Sequence, residues 1–121
     1  TYALGGTNYD YMEDYQMANM VMGTVISTPR SGVAIGDVGL FALSGLGADS
    51  VDGYPDVTVA ELLDHKIVLK SDGEMPLQVG DKFKLIPAYQ DMMINRWDQY
   101  IGIRNDVVEQ VWDIPGRGCT Q

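Results

Sequence analysis

Oxygen-bearing side chains gather in one short segment of this chain, which begins at Pro87 and ends at Asp98. These side chains belong to Tyr89, Gln90, Asp91, Asn95 and Asp98. Oxygen ligands are those that hard divalent cations prefer, so the segment could hold such a metal ion. A solvated acidic loop would have the same composition, and the residues by themselves leave both interpretations open.

The sole histidine and the first residue are two further candidates for chemistry. His65 follows Asp64, and an adjacent carboxylate can orient an imidazole for proton transfer, although a lone histidine is often structural. Thr1 could act as a nucleophile with its own amine as the base, as in self-processing hydrolases. Those hydrolases need long helices that this sequence does not predict, and trimming by a protease also leaves a Thr in first position.

The composition argues against several classes of function. A formal net charge of -9 disfavours nucleic acid and anionic membrane surfaces as partners, because both require basic patches. The sequence has no nucleotide-binding loop, no Ser-His-Asp set and no Cys/His zinc spacing. It also has no apolar run near the roughly 20 residues of a membrane helix. The single cysteine, Cys119, excludes an intrachain disulfide, and we expect a cytoplasmic protein.

The elements that must position these residues are predicted to be short strands. The length of 121 residues suits one domain, residues 1–121, and apolar residues alternate with polar ones in several segments. Strands are predicted in the second half of 17–28, at 33–35, at 57–63 with a helical end, at 65–70, at 77–87 with a break at Gly80-Asp81, and as a hairpin of 99–103 and 107–112. The glycine-rich stretch 36–54 is expected to have little regular structure and to support the polar loop or an interface. The pattern predicts an all-β Greek-key barrel or sandwich with short helical pieces.

Several segments resemble a known enzyme family. The tail segments LQVGDKFKLIP and INRWDQYIGIRNDVVEQVWDIPGRG resemble the C-terminal β domain of the D-threonine aldolase and D-serine dehydratase family. These are fold-type III, alanine-racemase-like enzymes that use pyridoxal phosphate (PLP). Thr1-Tyr2, MGTVISTP and GDVGLFALS resemble further family segments, and Asp64-His65 resembles an acidic residue followed by His. The resemblance thus spans nearly the whole chain.

The resemblance implies a PLP enzyme made of two parts. In the family an α/β barrel carries the cofactor and its Schiff-base lysine, and the β domain closes the active site. This chain has no phosphate-binding barrel loop, so the PLP is expected on a separate barrel chain. The chain would then be the C-terminal half of a cleaved or two-subunit hetero-oligomer. Thr1 would stand at the junction and could itself have performed the cut.

The resemblance also assigns roles to individual residues. The family's β domain holds a divalent metal through a His and, two residues later, an Asp or Cys. Asp91 falls at the second position and Tyr89 at the first. Because a phenol is mostly protonated at neutral pH, this replacement predicts that the metal is lost and that Tyr89 donates a proton in its place. Phe41 likewise stands where the family has a lysine.

We therefore expect Tyr89 and His65 to be catalytic residues and Asp91 to be the remaining metal-ligand position. Asp64, Asn95 and Asp98 are expected to support them. The expected function is that of the β chain of a PLP-dependent aldolase or dehydratase, with a D- or β-hydroxy amino acid as substrate. Two alternatives remain, namely a non-catalytic structural or regulatory subunit with a decayed metal site, and a self-processed hydrolase fragment that uses Thr1.

Overall fold

A computed structural model of the chain describes residues 16–119, and Thr1 and Tyr2 lie outside this range. The strands are β1 (Val21–Arg30), β2 (Val33–Gly36), β3 (Ala48–Val51), β4 (Val57–Leu62), β5 (Ile67–Ser71), β6 (Lys82–Pro87), β7 (Gln99–Arg104) and β8 (Val107–Asp113). One short helix, α1 (Gln90–Ile94), lies between β6 and β7. The prediction of an all-β domain with a short helical piece is confirmed.

Six of the strands form one antiparallel sheet that closes almost into a barrel. Their order is β3-β6-β1-β2-β5-β4, and the two edge strands β3 and β4 lie against each other. Around the barrel, β3, β4 and β5 follow one another, and β2 lies beside β5, which is the Greek-key arrangement. The sequence left a barrel and a sandwich open, and the structure is a barrel.

The alternation of apolar and polar residues fills the barrel. In β6, Phe83 and Leu85 are buried while Lys82 and Lys84 face solvent, as predicted. The buried core residues include Val21, Val25, Ala34, Leu43, Val51, Ile67, Leu69, Leu77, Phe83 and Leu85. A Cβ atom at Gly36 would lie 2.3 Å from Cζ of Phe83, so the glycine at this position of β2 makes room for the ring.

Three local predictions are wrong, because tertiary pairing overrides local preference. The helical end expected at 57–63 is absent, since β4 continues to Leu62 and pairs along its length with β5. The stretch 36–54 contains β3, which pairs with β6 and buries Val51. Residues 77–81 form a turn instead of a strand, in which Gly80 has a φ of 93° and the Asp81 carboxylate accepts a hydrogen bond from the Gln78 N–H at 2.8 Å.

The predicted hairpin is confirmed and forms a separate two-stranded sheet of β7 and β8. Its two-residue turn, Asn105-Asp106, has φ angles of 50° and 61°, which are the positive values of a type I′ turn. Every residue of β8 is exposed. The hairpin therefore projects from the barrel. Across residues 16–119, no helix is long and apolar enough to span a membrane.

Candidate functional site

Helix α1 displays the polar residues of the 87–98 segment at one end of the barrel. It follows Pro87 at the end of β6, with Tyr89 as its N-cap, Asp91 in its first turn and Asn95 as its C-cap. The Met93 side chain is 97% buried and anchors the helix on the core, and the Met93 N–H donates to the Tyr89 carbonyl at 3.3 Å. An acidic residue in the first turn suits the positive end of the helix dipole.

Three of the predicted site residues share one open groove beside this helix. The groove has a volume of about 940 Å³ and is lined by Phe41, Tyr89, Asp91, Met92, Ile94, Asn95, Arg96, Ile114, Gly116 and Arg117. The structure thus brings Tyr89, Asp91 and Asn95 together. Arg96 and Arg117 add positive charge to a site in which Asp91 supplies a carboxylate.

The segment after β8 forms a second wall of the groove, and two predicted supporting residues hold it there. Oδ1 of Asn95 accepts a hydrogen bond from the Gly118 N–H at 2.7 Å. The Asp98 carboxylate lies 2.9 Å from Nη1 of Arg117, and the Asp98 carbonyl accepts from the Ile114 N–H at 2.8 Å. This geometry suits the supporting role that the sequence predicts for Asn95 and Asp98.

His65 lies in a smaller adjoining cavity and not in the groove. This cavity, about 220 Å³, is lined by Asp37, Gly39, Phe41, Ala42, Asp64, His65, Arg96 and Trp97. The Phe41 ring stacks on the His65 imidazole, with ring centroids 4.9 Å apart and planes inclined by 29°. Phe41 and Arg96 line both spaces, so the Phe41 ring separates the imidazole from the groove.

Close backbone contact holds Phe41 in this position. The Leu40 N–H donates to the Leu63 carbonyl at 2.9 Å, and the Phe41 N–H donates to the Asp64 carbonyl at 3.2 Å. A Cβ atom at Gly39 would lie 2.3 Å from the Leu63 carbonyl oxygen, so only glycine permits this approach. Asp64 therefore contributes its backbone here. Within residues 16–119 no hydrogen bond joins its carboxylate to His65, and the predicted orienting role stays a prediction.

Tyr100 is a residue of the site region that the sequence interpretation missed. Burial raises the pKa of the Tyr100 phenol above its ordinary value of 10.0, a hydrogen bond from Asn19 lowers it, and the nearby negative charge of Asp91 raises it. Nδ2 of Asn19 lies 3.5 Å from the phenol oxygen. The sequence could have indicated this residue, because Tyr100 lies two positions after the polar segment, at the start of β7.

Comparison with known proteins identifies the family of this chain. Residues 18–103 match the family model described as "Putative serine dehydratase domain". The chain belongs to this family. It is 36% identical over 107 residues to the 3-hydroxy-D-aspartate aldolase of Paracoccus denitrificans, a match that covers 87% of this chain and 27% of that relative. It is 28% identical over 119 residues to the D-threonine aldolase of Arthrobacter sp, which covers 97% of this chain and 31% of that relative.

Comparison with solved structures indicates the same family. The crystal structure of D-threonine aldolase from Filomicrobium marinum matches this chain with a TM-score of 0.82 at 26% identity, over 88% of this chain and 30% of that protein. The family expected from the sequence motifs, with this chain as its C-terminal β domain, is confirmed. The chain spans about 30% of the length of these serine dehydratase-type relatives.

The divalent-metal site that the family resemblance implies does not fit the described residues. Residues 16–119 contain no group of three His, Cys, Asp or Glu side chains that could hold a metal ion. In the groove Asp91 is accompanied by a phenol, an amide and the Arg96 guanidinium, and a positive group repels a cation, while the Arg117 guanidinium is paired with Asp98. Asp91 would need at least two further ligands from outside these residues.

The lysines of the described chain do not fit the Schiff-base role either. None of the residues that line the groove or the adjoining cavity is a lysine. Nζ of Lys82 donates to the Thr24 hydroxyl at 2.6 Å, and Nζ of Lys84 lies 4.0 Å from the Asp52 carboxylate. Both groups lie on the outer surface of the barrel, where β1 meets β6 and β6 meets β3.

Proposed function

We propose that this chain is the β chain of a PLP-dependent amino-acid lyase and that it closes the active site of a separate barrel chain, which carries the PLP. The observation that carries the proposal is the open groove in which Tyr89, Asp91 and Asn95 converge, in a chain that belongs to the serine dehydratase family. The relatives are named as aldolases of 3-hydroxy-D-aspartate and D-threonine, so the proposed substrate is a β-hydroxy D-amino acid.

The residues of this chain have complementary roles in the proposed site. PLP, when bound, supplies the stabilisation of negative charge at the substrate's α carbon. The Tyr89 phenol donates a hydrogen bond to the substrate's β-hydroxyl and can protonate it, so that the hydroxyl leaves as water in a dehydration. The Asp91 carboxylate can instead accept the hydroxyl proton, which an aldol cleavage requires. Asn95 and Asp98 keep the groove wall in place.

His65 has a second, more peripheral role in this proposal. Its imidazole lines the adjoining cavity and stacks on Phe41, a residue that also lines the groove with Tyr89 and Asp91. We propose that it relays protons between solvent and the closed site. The single cysteine, Cys119, is compatible with the cytoplasm as the enzyme's location.

The assay that tests the proposed function uses the assembled enzyme with 3-hydroxy-D-aspartate, D-threonine and D-serine. Glycine and an aldehyde identify aldol cleavage, whereas a keto acid and ammonia identify dehydration. Formation of either product pair supports the proposal. A PLP-bearing complex that forms neither would favour the non-catalytic subunit, an alternative that the replacement of His by Tyr89 also allows.

The hydrolase alternative has its own test. Thr1 lies outside the described residues, so the geometry does not bear on it. When the chain is produced with Ala already at its first position, so that no cut is needed, lyase turnover of the assembly should be unchanged if Thr1 serves only in processing. Loss of all activity in this variant, with the assembly intact, would favour an N-terminal-Thr hydrolase instead.

A further inference from the structure

The β7–β8 hairpin exposes apolar side chains on both of its faces. Six large apolar residues of the hairpin have exposed fractions of about half or more: Ile101 60%, Ile103 48%, Val107 61%, Val108 57%, Val111 49% and Trp112 48%. The Ile101 and Val111 side chains are partners across the two strands on one face, and the Trp112 ring lies over Gly102 on the other face. Tyr100, at the base of the hairpin, is half-buried and its phenol oxygen lies 3.5 Å from Nδ2 of Asn19, whereas every residue of β8 is exposed.

A two-stranded ribbon of this kind needs a partner. An isolated hairpin is marginally stable in water, and a contiguous exposed apolar patch marks an interaction surface. The polar contacts of the hairpin lie at its two ends, where Nε2 of Gln99 donates to the Asp113 carboxylate at 2.9 Å and Nε of Arg104 lies 3.4 Å from the Glu109 carboxylate. Between these ends, one face presents the exposed apolar pair Ile101 and Val111.

The hairpin is continuous with the groove. The Ile114 N–H donates to the Asp98 carbonyl at the base of the ribbon, and Ile114 itself lines the groove. A polypeptide that covers the hairpin therefore also approaches Tyr89 and Asp91.

We infer that the hairpin is the docking surface for the barrel chain of the proposed enzyme, and this inference rests on the proposed function. A barrel chain that covers the groove would also reach the hairpin, because Ile114 lines the groove and joins the base of the ribbon. The hairpin has one basic residue, Arg104, against three acidic ones, Asp106, Glu109 and Asp113, and the whole chain carries -9. Two copies would repel each other, so the partner presents an apolar patch with a basic rim.

The test is a double substitution at the centre of the patch, Ile101→Asp with Val111→Asp, in the complex purified from its source. The matched control is Val79→Asp, because Val79 is 61% exposed and lies outside the hairpin. The double variant should weaken association with the PLP-bearing chain by roughly tenfold or more, measured by native mass spectrometry across a dilution series. The control should associate as the wild type does.

Amide hydrogen exchange of the wild-type chain gives a second readout that needs no substitution. Amides of 99–113 should exchange more slowly in the complex than in the isolated chain. Unchanged association of the double variant, or unchanged exchange, would overturn the docking surface while a PLP-bearing partner still upheld the proposed function. A wild-type chain that pairs with itself through the hairpin would also overturn the inference, and the absence of any barrel chain would overturn both.

Discussion

Tyr89 stands where the family resemblance places a histidine ligand, and the proposed function makes its phenol a proton donor. It shares the groove with Asp91, Asn95 and two arginines, and residues 16–119 offer no three-residue metal cluster. A proton donor at this position would do part of the work of a Lewis acid, because both stabilise charge that develops on a leaving oxygen.

Removing the phenol oxygen tests that role. Tyr89→Phe keeps the ring and should lower kcat by roughly 10²–10⁴-fold, which is the usual contribution of a general acid, with a smaller effect on KM. Steady-state kinetics of the assembled enzyme measure both. Tyr54→Phe is the control, since Tyr54 packs against the core outside the groove. Wild-type turnover in Tyr89→Phe would remove Tyr89 from the mechanism.

Tyr100 predicts how stability depends on alkaline pH. Burial, aided by the charge of Asp91, raises the pKa of the folded-state phenol above 10.0. The unfolded chain therefore loses this proton first, and the stabilisation is complete below pH 10 and is lost as pH rises through the folded-state pKa. Urea unfolding at neutral pH and above pH 10 should show a smaller alkaline loss for Tyr100→Phe than for the wild type. Equal losses would contradict the assignment.

At the scale of elements, Gly36 lets β2 pack against the barrel centre. A Cβ atom there would lie 2.3 Å from Cζ of Phe83 and 2.9 Å from Cγ2 of Ile67, both inside the core. Gly36→Ala should lower the free energy of unfolding by about 1–3 kcal/mol, as overpacking usually does. Gly73→Ala is the control, because no atom lies within 4 Å of its Cβ position. Chemical denaturation measures the free energy of unfolding of both variants, and equal values for the two would contradict the prediction.

In the hairpin turn, a single substitution is expected to stabilise the structure. Asp106 has a φ of 61°, a value that glycine adopts without steric cost. Asp106→Gly should stabilise the hairpin by up to about 1 kcal/mol and slow amide exchange in β7 and β8, with little effect on the barrel. Asp106→Ala should speed exchange in the same strands. Faster exchange in the glycine variant would show that the turn has another conformation.

The elements with strong local signals could be predicted from the sequence. The alternation of β5 and β6 and the hairpin were correct, because side-chain period and turn chemistry are local. Strand β3 and the full length of β4 were missed, because their pairing with β6 and β5 depends on residues distant in sequence. In a glycine-rich stretch such as 36–54, the local pattern is too weak to predict a strand.

The same distinction holds for the site. Tyr89, Asp91 and Asn95 are close in sequence, and one helix brings them together as expected. The stacking of Phe41 on His65 requires that the loop after β2 meets the loop before β5, and no local pattern encodes that contact. The influence of Asp91 on Tyr100 likewise depends on how the base of the hairpin meets helix α1.

At the scale of the whole molecule, two neighbouring surfaces of the described domain are exposed to solvent. The groove is open, and the neighbouring hairpin is apolar on both faces. The chain spans about 30% of the length of its relatives, and its described lysines lie away from the groove. The open groove and the exposed hairpin are the two features on which the proposed assembly with a PLP-bearing barrel chain rests.

The most direct test of this account is denaturing mass spectrometry of the native complex, after borohydride reduction fixes any PLP to its lysine. The account predicts a second polypeptide of barrel size with PLP attached to one of its lysines, and this 121-residue chain without PLP. Native material that contains this chain without a partner and without PLP would contradict the account and leave a binding or structural module.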